Sequence, residues 1–235
     1  MKLIAITTET FFEGETEAVN MLFENGLETL HLRKPYASQQ EMEDFINQVN
    51  KDFHSRIVLH DYHELIKNEE GEKGAKGRRG EGAKGVFCLK GIHIKKGRHF
   101  DRFDTSTCSA HRKLTDHRLS DRGTVSGSCH SFEEVLEARF CDYVFLSPIF
   151  DSISKAGYKQ GFTSEQLQDA KERMIINERV IALGGITADN IYIVRAYGFG
   201  GVAVLGSLWG NYAIDRDSNE LLQRFNKLKN KCLEV

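Results

Sequence analysis

The chain has 235 residues, 40% of them hydrophobic, which is enough to bury one large core, and a single α/β domain is expected over residues 1–235. Its 32 basic and 34 acidic side chains leave a formal charge of −2, so no polyelectrolyte field marks it for nucleic acid or an anionic membrane. Five cysteines (Cys88, Cys108, Cys129, Cys141 and Cys232) are odd in number and show no CxxC or zinc spacing, which argues against a disulfide framework and for a reducing compartment.

The first residues, Met1-Lys2-Leu3-Ile4-Ala5-Ile6-Thr7, hold too short an apolar stretch for a signal peptide and read as a strand. No later stretch has the length of a membrane span, so a cytoplasmic location is expected. After Leu3 to Ile6, further apolar runs fall at Thr29 to Leu32, Ile57 to Leu59, Gly91 to Ile94, Thr124 to Ser128, Tyr143 to Leu146, Val180 to Leu183 and Val202 to Leu205. Amphipathic stretches separate them. Ser38-Gln39-Gln40-Glu41 is a capping box, and Met42, Phe45, Ile46 and Val49 follow at helical spacing, which predicts a helix with one buried face. Ser131 to Glu134 and Thr163 to Gln166 repeat the capping signature, and Gly26 and Gly198 stand where helices should end. Eight strands alternating with helices predict a closed (β/α)8 TIM barrel. An open doubly wound sheet would more often carry its glycine-rich turn after the first strand, where this chain has Thr7-Thr8-Glu9.

Two segments break this rhythm. Residues 71–85 (GEKGAKGRRGEGAKG) lack proline and are too short for a collagen helix, so a disordered charged insertion on the face away from the site is expected. Residues 97–122, rich in His, Arg, Asp and Ser, form a second irregular insertion that begins on the opposite, functional face.

In such a barrel, functional side chains gather at the C-terminal ends of the strands. The last two runs end in matched glycines, Gly184-Gly185 and Gly206-Ser207, where backbone N–H groups can turn inward and a helix N-terminus adds partial positive charge. That pattern predicts a phosphate cup. Other strand ends contribute His31 and Arg33, His60 and Asp61, Ser128 and His130, and the polar stretch Ser147 to Lys155. Each alone has an ordinary structural explanation, as a cap or a partner for a neighbouring carboxylate. Their convergence on one rim points to a site.

The motifs HLRKP after strand two, SCHS-FEE after strand five, DYVFLSPIFDSISK after strand six, ALGGI after strand seven and GFGGVAVLGS after strand eight resemble the thiamin phosphate synthase and TenI-type thiazole tautomerase superfamily. The resemblance implies a TIM barrel of thiamin biosynthesis whose partner is a small thiazole phosphate, held by backbone donors of Gly185, Leu205 and Gly206. It also sets Ser152, Ser154 and Lys155 where the synthases carry two threonines and a lysine. An oligomer is left open.

The departures from the synthase pattern choose between the two activities. Where synthases read Gln-x-Arg-x-Lys, this chain reads His31, Arg33 and Pro35; their Asn-Asp becomes His60-Asp61, and no Asp follows strand four in Ile92-His93-Ile94-Lys95-Lys96-Gly97. A synthase needs Mg²⁺ with oxygen ligands to neutralise a diphosphate. Asp61 is the one metal ligand retained, with Asp101 or Asp104 as substitutes. Lys95 and Lys96 could neutralise a diphosphate without metal, although both are expected to face water. The tautomerase pattern tolerates these losses and needs no cofactor. It has histidine at the position of His31, and its acid–base histidine is His130 in Ser-x-His-Ser. An imidazole can accept and return a proton near neutrality. The leading expectation is a thiazole tautomerase with His130 as proton shuttle and His31 as the next candidate, binding substrate through Arg33, His60, Ser128, Ser152, Ser154 and Lys155. A Mg²⁺-dependent thiamin phosphate synthase is the alternative, and a non-catalytic phosphate-ligand binder the third reading.

Overall fold

The computed structural model describes residues 1–66, 87–95, 123–151 and 159–234. Both insertions, 71–85 and 97–122, and the rim residues Ser152, Ser154 and Lys155 lie outside the described residues. Strands β1 (Lys2–Ile6), β2 (Leu30–Leu32), β3 (Ile57–Leu59), β4 (Gly91–Ile94), β5 (Thr124–Cys129), β6 (Tyr143–Leu146), β7 (Val180–Leu183) and β8 (Gly201–Val204) pair in chain order and close on themselves through β1 and β8. All pairs are parallel, as crossover helices require. Strand β8 stops one residue earlier than the apolar run suggests because Leu205 leaves the strand (φ −132, ψ −76) to cap the next helix.

The helices are α1 (Glu15–Glu24), α2 (Gln39–Gln48), α3 (Phe132–Glu137), α4 (Ser164–Glu172), α5 (Ile191–Ala196), α6 (Gly206–Trp209), α7 (Tyr212–Asp215) and α8 (Ser218–Leu233). Complete capping boxes start α2 (Ser38, Glu41) and α4 (Thr163, Gln166). At α3 the Ser131 hydroxyl accepts from the Glu134 N–H, while a Glu134 carboxylate oxygen accepts from the N–H of His130. Gly26 and Gly198 follow α1 and α5 with φ of 96° and 82°, a conformation in which a side chain would be strained. In α8, Leu221, Phe225, Leu228 and Cys232 recur at helical spacing and are buried against the barrel, each apolar side chain contributing about 1.5–3 kcal/mol.

Alternation along the strands divides the interior into two halves. Val125 and Cys129 of β5, Val144 and Leu146 of β6, and Val180 and Ala182 of β7 face outward into the main core with the helices. Inward, Ile4, Ile6, Tyr143, Phe145, Ile181 and Ala203 fill one side of the barrel. The other side, from β2 to β5, carries the buried polar side chains His31, His60, His93 and Ser126. Among the described residues, Cys88, Cys129, Cys141 and Cys232 form no disulfide with one another, and no helix is long and apolar enough to cross a membrane.

Candidate active site at the barrel rim

Parallel pairing sets Leu183 of β7 beside Ala203 of β8, so the Gly184-Gly185 turn and Leu205 leave the ends of two paired strands. Gly184 and Gly185 have φ of 96° and 65°. A Cβ at Gly185 would lie 2.3 Å from the Asp151 carbonyl oxygen and 2.7 Å from Phe150 Cβ, so the loop after β6 packs directly on this turn. The Asn190 side chain fixes its far side, donating to Gly185 O at 2.9 Å and accepting from Thr187 N at 2.9 Å. Opposite, Gly206 and Ser207 open α6, whose first N–H groups have no intrahelical carbonyl to bond. Ser207 Oγ is buried and has no hydrogen-bond partner among the described groups. A buried hydroxyl without a partner costs free energy, and a ligand oxygen would satisfy it.

His130 stands exposed at the end of β5. Its Nδ1 lies 3.0 Å from the Ser147 carbonyl oxygen, which can only accept, so the neutral ring carries its proton on Nδ1 and presents the Nε2 lone pair. Arg33 points to Glu9, with Nη1 2.9 Å from a carboxylate oxygen. Lys95, expected to face water, instead reaches both oxygens of Asp61 at 2.6 Å in a half-buried pair.

Beneath the rim, residues from β2 to β6 form one polar network. His31 Nδ1 is 2.9 Å from His60 Nε2, and His31 Nε2 is 2.7 Å from the Tyr143 hydroxyl. His93 contacts Ser126 Oγ through Nδ1 at 3.0 Å and Ser128 Oγ through Nε2 at 2.8 Å. The His60 and His93 rings stack with centroids 4.1 Å apart, and Phe145 packs against the rings of His31 and His93 at 4.7 and 5.0 Å. Burial pushes the His31 and His60 imidazoles well below their usual range, with the neighbouring His93 adding to it. His93 is held down at about 3, first by burial and then by the nearby His63, Lys95 and Arg33. Burial also raises the Tyr143 phenol to about 12. At neutral pH the network is therefore uncharged.

The structure thus brings His31, His60 and Ser128 together through His93, and sets His130 and Arg33 apart from them with other partners. Sequence reasoning passed over three contributors. His93 is legible in hindsight, since it interrupts the alternation of Ile92 and Ile94 on the inward face of β4. Ser207 read as part of a glycine turn. Lys34, inside HLRKP, is fully buried with Nζ 2.6 and 2.7 Å from the Glu15 carboxylate, and it also donates to Thr10 O at 2.9 Å. No signal in the sequence separates it from the adjacent Arg33.

Mg²⁺, which the synthase reading calls for, does not fit the described residues. Both oxygens of Asp61 are taken by the Lys95 ammonium, and among the described residues only His31, His60 and His93 cluster closely enough to share an ion. Three nitrogens are a poor match for a cation that demands oxygen.

The strand order and closure define a (β/α)8 barrel, and polar side chains gather at its C-terminal rim, the candidate site. Residues 89–208, more than half of the chain, match the family model described as thiamine monophosphate synthase. The chain belongs to this family. A thiamine-phosphate synthase of Levilactobacillus brevis is 32% identical over 108 residues, covering 44% of this chain and 48% of that protein. The Bacteroides fragilis thiamine-phosphate synthase is 24% identical over 220 residues, 88% of this chain and 92% of the relative. In the first two curated relatives the match spans about half of their length, 48% and 46%. Among solved structures, a thiamine phosphate pyrophosphorylase from Bacteroides thetaiotaomicron is similar over 100% of both chains, with 36% identity and a TM-score of 0.73. One from Pyrococcus furiosus, at 19% identity and a TM-score of 0.62 over 97% of this chain and 96% of that one, shares the fold.

Proposed function

We propose that the chain is an enzyme acting on a thiazole phosphate, and that it joins this phosphate to a pyrimidine diphosphate as a thiamin phosphate synthase. The full-length likeness to a thiamine phosphate pyrophosphorylase at 36% identity supports this over the tautomerase reading that the sequence favoured. The observation that carries the ligand class is the buried Ser207 hydroxyl, without a hydrogen-bond partner among the described groups, in the first turn of the helix that follows β8. Gly185, Leu205, Gly206 and Ser207 would hold the phosphate, and Ser152, Ser154 and Lys155 are kept as ligand contacts on the resemblance alone. In the reaction, the pyrimidine methylene carbon loses its bond to diphosphate oxygen and gains one to the thiazole nitrogen, with the electron pair leaving on diphosphate. Arg33 and Lys95, on the β2 and β4 side of the rim, would meet that leaving group by exchanging Glu9 and Asp61, the carboxylates they now pair with, for diphosphate oxygens.

The test is product formation from both substrates, titrated with Mg²⁺. Ser207→Ala should raise KM for the thiazole phosphate by roughly 10-fold or more, the worth of a hydrogen bond to a charged group. Absence of product with wild-type protein at every Mg²⁺ concentration would overturn the synthase reading. One observation favours the tautomerase instead: His130 presents Nε2 as a proton acceptor, and that reaction needs no diphosphate site. On that reading, protein inactive as a synthase still exchanges solvent deuterium into the thiazole, and His130→Asn slows exchange by roughly 10²-fold.

A further inference from the structure

We propose that His31, His60 and His93 form a binding site for a borderline transition-metal ion, Zn²⁺ in the first instance, inside the barrel below the rim. One ring nitrogen from each lies within 4.8 Å of the others, and the three side chains are 0%, 6% and 1% exposed. His31 lies on β2, His93 on β4 and His60 one residue past the end of β3, so the backbone ladder fixes their spacing: His31 pairs with Val58 of β3, two residues before His60, and Val58 pairs with Gly91, two residues before His93. The donors are imidazoles without a carboxylate among them, a set that favours Zn²⁺, Co²⁺, Ni²⁺ or Cu²⁺ over Mg²⁺ or Ca²⁺.

The hydrogen bonds around the cluster are those that ligating histidines make. His31 Nδ1 and His60 Nε2 face each other at 2.9 Å, a contact in which one neutral ring donates its N–H to the lone pair of the other; a metal ion bound by both nitrogens would take the place of that proton. If the metal takes that place, His31 keeps its proton on Nε2 for the Tyr143 oxygen at 2.7 Å, and whichever nitrogen of His93 stays outside keeps its serine partner. Each neutral ring retains one proton, so one ring changes tautomer and no proton is released. Three protein ligands leave a fourth position for water or a serine hydroxyl. His60, the most exposed of the three, marks the entry side. The site stands apart from the thiazole phosphate reading, since metal uptake is measured with no organic ligand present.

The experiment uses the full chain, stripped with chelator, dialysed, and loaded with Zn²⁺ or Co²⁺ alone. One Zn²⁺ per chain should survive dialysis, Co²⁺ should give the intense visible bands of a tetrahedral site, and zinc X-ray absorption should show imidazole nitrogens at about 2.0–2.1 Å. His60→Asn and His93→Gln should each weaken Zn²⁺ binding at least tenfold. A variant with His99, His111 and His117 replaced by alanine should bind as wild type, which separates this cluster from the histidines of residues 97–122. Loss of binding in that variant, unchanged binding in folded His60→Asn or His93→Gln, or a wild-type spectrum of oxygen-ligated octahedral metal would each overturn the proposal. The wild-type spectra decide the matter even if the buried variants fail to fold.

Discussion

The buried Lys34–Glu15 pair gives the sharpest stability prediction. Its side chains are 0% and 2% exposed, two carboxylate oxygens lie 2.6 and 2.7 Å from Nζ, and the Phe11 ring covers the ammonium at 4.6 Å. The pair ties the loop after β1 to the end of β2. Burial lowers the Lys34 ammonium and raises the Glu15 carboxyl, while each opposes the shift of the other. Removing one partner leaves a desolvated charge, so Glu15→Gln or Lys34→Met should cost about 3–5 kcal/mol. For a chain of this size that is a fall in Tm of roughly 6–20 °C. The double variant Glu15→Leu/Lys34→Met should lose far less than the sum, because no charge is stranded. The two singles should differ in pH dependence. In Glu15→Gln the attraction that holds the Lys34 pKa up is gone, so its folded value falls further below the unfolded one. Between those values the unfolded state binds more protons, and stability rises with pH. The Glu15→Gln deficit should therefore shrink from pH 7 to pH 9, while that of Lys34→Met, which has no ammonium, should not shrink in this way. Urea melts of all four proteins at both pH values test this. A double variant as unstable as the two singles combined, or a Glu15→Gln deficit independent of pH, would refute the reasoning.

Other outcomes follow from the same packing. Gly185→Ala should destabilise more than Gly14→Ala: both have positive φ, but a Cβ at Gly185 meets Asp151 O at 2.3 Å whereas one at Gly14 meets nothing within 4 Å. Gly14→Ala should cost only the backbone strain of about 1–2 kcal/mol, read by thermal melts. Phe225→Ala, which empties a site under the C-terminal helix, should cost about 3–5 kcal/mol in the same measurement. With Cys108 replaced by serine, iodoacetamide on the native chain should label Cys88, which is exposed, and spare Cys129, Cys141 and Cys232. Burial holds Cys141 at about 12 and Cys232 at about 11, so raising the pH from 7 to 9 should leave both unlabelled by peptide mass mapping.

The barrel was legible in the sequence because its signals are local. Each apolar run ends within a residue or two of its strand, and the Ser38 and Thr163 boxes and the glycines at 26 and 198 carry their own chemistry. The glycine turns after β7 and β8, proposed as a phosphate cup, were legible for the same reason. What a single chain pass misses is partnership across strands. Arg33 and Lys34 are neighbours with the same charge, yet one reaches a surface carboxylate and the other a buried one. Lys95 reads as a solvated loop cation until β3 and β4 pair and set it over Asp61.

Taken one at a time, the departures from the synthase pattern at His31, His60, Asp61 and strand four look like independent losses, as a chain drifting toward a mere binder would show. In the fold they are a single place. Decay would leave buried polar atoms without partners on β2, β3 and β4. Here His31 bonds His60 and Tyr143, His93 bonds two serines, and Asp61 is neutralised by Lys95. A histidine introduced alone at position 31 or 93 would carry the desolvation cost of an unpaired imidazole; introduced together with Ser126, Ser128 and Tyr143 opposite, the rings satisfy one another. The mutual satisfaction of these side chains makes this side of the barrel one polar unit of nitrogen and hydroxyl groups, set apart from the glycine turns that follow β7 and β8.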